Sequence, residues 1–157
     1  MIRSISLSNK SRVRRAAMQK NVTGRIREKV ETEPFAGKLG LKVVALEPGY
    51  SKVEMKVSPE MANIFGATHG GAILSLIDEA FETASNSHGV LAVALNVNIQ
   101  YLRPAGKGDL LTAEAREVSR SKRISTNQID VKNAAGRQIA GAQCMAFIKG
   151  DKLPFLE

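Results

Sequence analysis

The chain has 157 residues, of which 43% are hydrophobic and 24% charged, and this balance favours one globular domain and excludes wholesale disorder. Aromatic residues make up only 4% of the chain, which argues against a platform that stacks single-stranded bases. The net charge is +8, but nine basic residues and one acid fall within residues 1–30. The rest of the chain is neutral, so no nucleic-acid groove is indicated.

Cysteine and histidine are scarce in the sequence. Cys144 is the only cysteine and cannot form an internal disulfide, so we expect an intracellular, cytoplasmic protein. His69 and His88 are too few and too scattered for a spaced zinc cluster, and we expect no metal. No apolar run approaches the roughly 18 residues that span a bilayer, so no membrane partner is expected either.

The N-terminal segment differs from the body. We expect residues 1–25 to be a basic, flexible extension and residues 26–157 to form a single domain. Residues 1–20 contain four serines among basic residues and no acid, which is typical of an organellar transit peptide and would make the location mitochondrial. Alternatively, Met18 is the true start, and residues 1–17 are an upstream extension. Composition alone leaves both interpretations open.

The first elements of the body are a short helix and a hairpin. Residues 25–35 can form a helix that ends near Glu33 and Pro34, because the residue before a proline is pushed out of the helical region. Residues 41–47 are rich in β-formers and stop at Pro48 and Gly49. Residues 51–57 then alternate between apolar and charged side chains, which predicts a second strand antiparallel to the first.

A strongly apolar helix is predicted over residues 69–85, and strands follow at residues 91–101, 110–118, 123–132 and 138–149. Helix and strands are segregated along the chain instead of alternating. This order predicts an α+β fold in which a mostly antiparallel sheet wraps around one long central helix. One helix covers only one face of a sheet, so we expect an oligomer.

Two adjacent glycines stand at the start of the apolar helix, in the segment Asn63-Ile64-Phe65-Gly66-Ala67-Thr68-His69-Gly70-Gly71. Each glycine costs roughly 1 kcal/mol relative to Ala inside a helix. Their bare N–H groups at a helix N-terminus could bind a developing oxyanion. On this segment alone, a tight turn or close packing is the alternative reason for them.

Asp78 lies a little over two turns after Gly70, on the flank of the apolar face of the helix. Partial burial there would raise its pKa and suit it to act as a general base or nucleophile, although a solvated surface group is the alternative. We expect Glu79 and Glu82 to lie on the solvated side of the helix. Cys144 stands in an apolar strand and is expected to be a buried structural thiol.

Four motifs together resemble the signature of a known family. They are Asn63-x-x-Gly66-x-x-His69-Gly70-Gly71, Leu76-Ile77-Asp78-x-Ala80-x-x-x-Ala84, the strand exit Leu102-Arg103-Pro104-Ala105 and the basic turn Ser119-Arg120-Ser121-Lys122-Arg123. The family is that of hotdog-fold acyl-CoA thioesterases of the phenylacetate-degradation, PaaI-like type. The likeness covers about residues 33–149, and residues 1–25 lie outside it.

The resemblance implies a catalytic role for each matching residue. Asp78 would be the general base or nucleophile, and the Gly70 N–H would polarise the thioester carbonyl. Asn63 would orient the carbonyl or the attacking water, and His69 would support the loop. In the family these groups come from two subunits, so the resemblance implies a homodimer, with a dimer of dimers beyond it. No cofactor is needed, because coenzyme A belongs to the substrate.

The resemblance also implies substrate-binding residues. Gly71 would be one of them. Arg120, Lys122 and Arg123 would meet the phosphates of coenzyme A, although a solvated turn is the alternative for such a charge cluster. Some members of the family align the water with a Ser or Thr on the strand after the helix. This chain departs from that pattern, and Asn96 is the candidate for the role.

Two other functions remain open at this point. A hotdog hydratase or dehydratase acting on an acyl-CoA would share the fold but would be expected to use a histidine base. A non-catalytic acyl-CoA-sensing module with a basic tail is the second alternative, although such a sensor would not need Asp78. The acyl group cannot be deduced from the sequence, because side chains from several strands set the shape of a pocket.

Overall fold

The computed structural model describes the backbone of residues 3–156 and the side chains of residues 11–156. Three α-helices span Arg3–Thr32 (α1), Pro34–Leu39 (α2) and Gly70–Asn86 (α3), with a short 3-10 turn at Pro59–Met61. Within the described residues, no helix is both long and apolar enough to cross a bilayer.

The first helix is much longer than the sequence analysis expected. Instead of a helix over residues 25–35, α1 runs from Arg3 to Thr32 and passes through residue 25 without interruption. The segment has no proline, and nine of its residues are Arg or Lys, which have good helix propensity. Pro34 stops the helix just after Thr32. The boundary at residue 25 between extension and domain therefore stays a prediction.

Six antiparallel strands form one sheet in the order β1-β2-β4-β5-β6-β3. Their bounds are Lys42–Glu47 (β1), Tyr50–Lys56 (β2), Val90–Tyr101 (β3), Leu110–Arg120 (β4), Ile124–Asn133 (β5) and Gln138–Lys152 (β6). The predicted antiparallel sheet and long helix are confirmed.

The central helix α3 packs against one face of the sheet. The predicted apolar face is buried, and its core members are Ile73, Leu76, Ile77, Ala80, Phe81 and Ala84. They meet fully buried strand residues, among them Met55, Leu111, Ile129 and Val131. Leu74, on the other side of the helix, is 37% exposed. The helix therefore has one side in the core and one side open.

Strand β3 is an edge of the sheet, because it pairs only with β6. Its free edge carries unpaired main-chain groups, which favour the addition of another strand. Val93, Leu95 and Tyr101 are 38%, 56% and 51% exposed in the single chain. A register shift between Ala94 and Asn96 marks an irregularity in the middle of the strand. This apolar edge is a candidate contact surface.

Candidate active site

A tight loop before α3 fixes the side chain of Asn63. Asn63 Oδ1 accepts hydrogen bonds from the main-chain N–H groups of Phe65 (2.9 Å) and Ala67 (3.1 Å). Because the oxygen holds the loop, the Nδ2 amide group remains as the donor. The loop is tied down by buried Thr68, whose Oγ1 donates to the main-chain oxygen of Ala105 at 2.8 Å. Asn63 is therefore a preoriented hydrogen-bond donor.

His69 caps the N-terminus of α3. Its Nδ1 accepts a hydrogen bond from the N–H of Gly71 at 2.8 Å. A Cβ atom on Gly71 would lie 3.0 Å from this nitrogen, so close packing is one reason for that glycine. Gly70 is the first residue of the helix, and its N–H therefore has no acceptor within the helix. His69 therefore fixes the start of α3, and its supporting role in catalysis stays a prediction.

Tyr101, a residue that the sequence analysis assigned no role, lies against Gly70. Its hydroxyl donates to the main-chain oxygen of Gly70 at 3.1 Å, and a Cβ atom on Gly70 would lie 3.2 Å from the ring. Tyr101 thus packs tightly against Gly70 and fixes the first turn of α3, and a side chain at residue 70 would have to displace the ring slightly. The signal was available, since Tyr101 is the aromatic residue that begins the strand exit ending in Pro104.

Asn63, Gly70 and Tyr101 line one open pocket of about 300 Å³, which we name the Asn63 pocket. A separate pocket of about 320 Å³, the Asp78 pocket, lies beside the middle of α3. Its walls come from α3, from the start of β3, from α1 and from residues 153–155. Among its α3 residues are Asp78 and Phe81.

Asp78 combines access to solvent with an apolar setting. Its side chain is exposed in the single chain, but the surrounding walls remove part of its hydration and raise the pKa of the carboxyl group above its ordinary value. Asp78 also lies near Cys144, which is fully buried, as expected. Burial, and then the charge of Asp78, raise the pKa of the Cys144 thiol to about 12. This thiol is not a nucleophile at neutral pH.

Glu79 corrects an expectation of the sequence analysis. It was expected to be solvated, but it is only 5% exposed, and its Oε1 has no hydrogen-bond partner among the described residues. Burial, and then the charges of Glu33, Glu82 and Asp78, raise its pKa to about 8. The expectation was wrong because it considered α3 alone, whereas the segment between α1 and α2 brings Glu33 close to this side of the helix. Glu82 is exposed as expected, but partial burial also raises its pKa.

The basic residues at the turn after β4 differ in their contacts. Arg120 donates from Nη1 to Glu117 Oε2 at 2.8 Å and to the main-chain oxygen of Ser85 at 3.4 Å. Burial opposes ionisation of Glu117, but hydrogen bonds from Ser125 and Arg120 outweigh this effect and lower its pKa. Arg120 is thus held by an internal ion pair, whereas Lys122 and Arg123 are exposed. Phosphate binding at this turn stays a prediction.

Asn96 lies on the free edge of the sheet, just after the irregularity in β3. It is exposed, and the part of β3 that lines the Asp78 pocket ends at Ala94. Its role in aligning water therefore stays a prediction.

One chain does not bring the predicted catalytic groups together. A helix rises 1.5 Å per residue, so the eight residues between Gly70 and Asp78 separate them by about 12 Å. Both groups cannot contact the same thioester carbonyl. The described residues contain no group of three or more His, Cys, Asp or Glu side chains that could hold a metal ion.

Comparison with known proteins places this chain in a family. The sequence profile of the thioesterase superfamily matches residues 65–140. A putative esterase of Archaeoglobus fulgidus is 41% identical over 74% of this chain and 75% of its own length. Acyl-coenzyme A thioesterase PaaI of Escherichia coli is 36% identical over 70% of this chain and 79% of its own length. The chain belongs to the thioesterase superfamily.

The solved structure of the E. coli PaaI protein shares the fold of this thioesterase, with a TM-score of 0.82 and 30% identity over 86% of this chain and 98% of that chain. The PaaI-like hotdog type that the sequence motifs implied is therefore confirmed. Helix α1 lies outside the 65–140 segment that the superfamily profile matches.

Proposed function

We propose that this thioesterase hydrolyses acyl-CoA thioesters to a free acid and coenzyme A, at sites that two copies of the chain share. The supporting observation is the separation of the catalytic groups: the Asn63 pocket holds the donors, and the Asp78 pocket holds the base. The relatives named esterase or acyl-coenzyme A thioesterase favour hydrolysis over the hydratase and sensor alternatives.

The chemistry follows from these groups. The Gly70 N–H, at the positive end of the dipole of α3, and the amide of Asn63 donate to the thioester oxygen as it becomes negative. Asp78 removes a proton from a water molecule, whose oxygen attacks the carbonyl carbon. The C–S bond then breaks, and the thiolate of coenzyme A leaves and takes up a proton. Base catalysis of this kind contributes roughly 10²- to 10⁴-fold.

The free edge of β3 is the surface on which we propose that the two copies meet. Antiparallel pairing of β3 with its own copy would satisfy its main-chain groups and cover Val93 and Leu95 around a two-fold axis. The same axis would set α3 beside its copy and bring Asp78 of one chain toward Gly70 of the other. A dimer of dimers and a cytoplasmic location remain predictions.

Thiol release from acyl-CoA tests the reaction. Asp78→Asn keeps the size of the side chain but removes the base, so we expect kcat to fall by at least about 10²-fold while the circular dichroism spectrum and the oligomeric state persist. Ser75→Ala, at a half-buried position on the same helix, is the control and should retain activity. Near wild-type turnover by Asp78→Asn would remove Asp78 from the mechanism.

Complementation tests the shared site. Asn63→Ala and Asp78→Asn damage opposite halves of each site, so a mixed dimer contains one doubly damaged site and one intact site. Refolding the two variants together at equal ratio makes half of the dimers mixed, which restores about a quarter of the wild-type sites. If mixed dimers are verified by native mass spectrometry but activity stays at the level of the separate variants, the sites are not shared.

A further inference from the structure

The second half of α1 lies against the body of the protein along one stripe of apolar side chains. The stripe consists of Val22, Ile26 and Val30, which recur every four residues and are 8%, 4% and 7% exposed. Two polar contacts, one before the stripe and one within it, also hold the helix. Gln19 Nε2 donates to the main-chain oxygen of Ser87 at 2.6 Å, and Arg27 Nη1 to that of Val43 at 2.9 Å. This half of α1 is therefore part of the folded body.

One wall of the Asp78 pocket is built from this stripe. Ile26 and Val30 line the pocket together with Phe155 near the end of the chain. Lys29 Nζ lies 5.8 Å from the centre of the Phe155 ring, which links the two segments of the wall. The remaining walls are the middle of α3 and the start of β3, so the space next to Asp78 is bounded mainly by apolar groups.

The size of the pocket limits what can enter it. A water-sized group occupies roughly 30 Å³ in a liquid, so a space of about 320 Å³ holds about ten non-hydrogen atoms. A medium-length alkyl chain or an aryl group with a short linker meets this limit. Ile26 and Val30 precede residues 65–140, which the superfamily profile matches.

We infer that Ile26 and Val30 of α1 determine the length of the acyl group that this thioesterase accepts, and that its substrates are acyl-CoAs with an apolar acyl group of up to about ten carbon atoms. The inference rests on the proposed function, because it places the acyl group in the pocket that contains Asp78. The size of residue 30 sets the length limit: a larger side chain shortens the acyl group that is accepted, and a smaller one lengthens it.

The test measures kcat/KM for acetyl-, hexanoyl-, decanoyl- and tetradecanoyl-CoA with wild type, Val30→Phe and Val30→Ala. One methylene in an apolar pocket changes kcat/KM about 10- to 200-fold. We therefore expect Val30→Phe to lower the decanoyl-to-acetyl ratio at least about tenfold, and Val30→Ala to raise the tetradecanoyl-to-decanoyl ratio by a similar factor. Val13→Trp, at a position on the same helix that is 64% exposed, is the control and should leave both ratios unchanged.

The outcomes separate this inference from the proposed function. Absence of thiol release from every acyl-CoA by the wild-type enzyme would overturn the proposed function itself. If the enzyme turns over acyl-CoAs but neither Val30 variant changes its preference for acyl length, only the role of α1 is overturned. General damage to the fold lowers kcat/KM for all substrates together, so it cannot shift the preferred acyl length in opposite directions in the two variants. Opposite shifts in the preferred acyl length would establish that the α1 wall determines this length.

Discussion

Glu79→Gln should make the protein less sensitive to alkaline pH. The Glu79 carboxyl group is 5% exposed and has a pKa of about 8, against 4.5 for an ordinary Glu. Between these values the folded chain holds a proton that the unfolded chain has lost. The free energy of unfolding therefore falls as the pH rises through this window, by about 1.4 kcal/mol per pH unit. Gln resembles the protonated carboxyl group in shape and cannot ionise.

The magnitude follows from the width of that window. From pH 5 to pH 9 the stability of Glu79→Gln relative to wild type should increase by about 4 kcal/mol, and most of the change should occur below pH 8. Urea unfolding followed by circular dichroism at pH 5, 7 and 9 measures it, since the chain has no Trp for fluorescence. All samples are compared at one protein concentration, because dissociation of the proposed dimer would otherwise change the apparent stability.

Glu82→Gln, one turn further along α3, is the matched control. Its carboxyl group is exposed and can be hydrated when charged, so this variant should show a smaller pH-dependent difference. The reasoning is refuted if the difference between wild type and Glu79→Gln is constant from pH 5 to pH 9. It is also refuted if wild type gains stability over the variant as the pH rises.

Three further results are expected. Deleting residues 1–17 should leave hydrolysis and melting temperature nearly unchanged, because the described side chains of this segment are exposed and the contact of Gln19 with the body is kept. A large loss of activity or melting temperature would show that residues 1–17 have a structural role. Lys122→Glu should raise KM for an acyl-CoA more than for a thioester lacking the nucleotide, and equal effects on the two substrates would show that Lys122 is only a solvated residue. Arg120→Glu should mainly lower the melting temperature, because it breaks the ion pair with Glu117. Cys144 should react with a thiol reagent only on unfolding, and rapid reaction of the native protein would contradict its burial.

The central helix and strands β2, β4, β5 and β6 could be predicted because each buries one face in the core, so the apolar period in the sequence matches the structure. β3 alternates in the same way, but Val93, Leu95 and Tyr101 are exposed in the single chain. α1 could not be predicted in the same way. Before Val22 its described side chains are mostly exposed and leave no apolar period, and the composition indicated only a tail. The spacing of Val22, Ile26 and Val30 was nevertheless a visible signal that the helix reaches the body.

The candidate site was predictable to the extent that it depends on local geometry. The cap formed by His69 and the position of Asp78 follow from spacing along one helix. The pocket wall does not, because Val30 and Phe155 lie far apart in sequence and meet only in the fold. The burial of Glu79 likewise depends on tertiary contacts, which a helical wheel drawn for α3 alone does not include.

The order of the strands has a consequence for synthesis on the ribosome. β3 is made before β4 and β5, but its only partner in the sheet is β6, which is translated after them. Until β6 emerges, a nascent chain has neither a paired β3 nor a completed edge on which a second subunit could dock. Chains that end early, within β6, would expose open strands and become targets for aggregation or proteolysis. The proposed pairing of β3 with its own copy would therefore be open only to finished polypeptides, which would keep truncated translation products out of the proposed dimer.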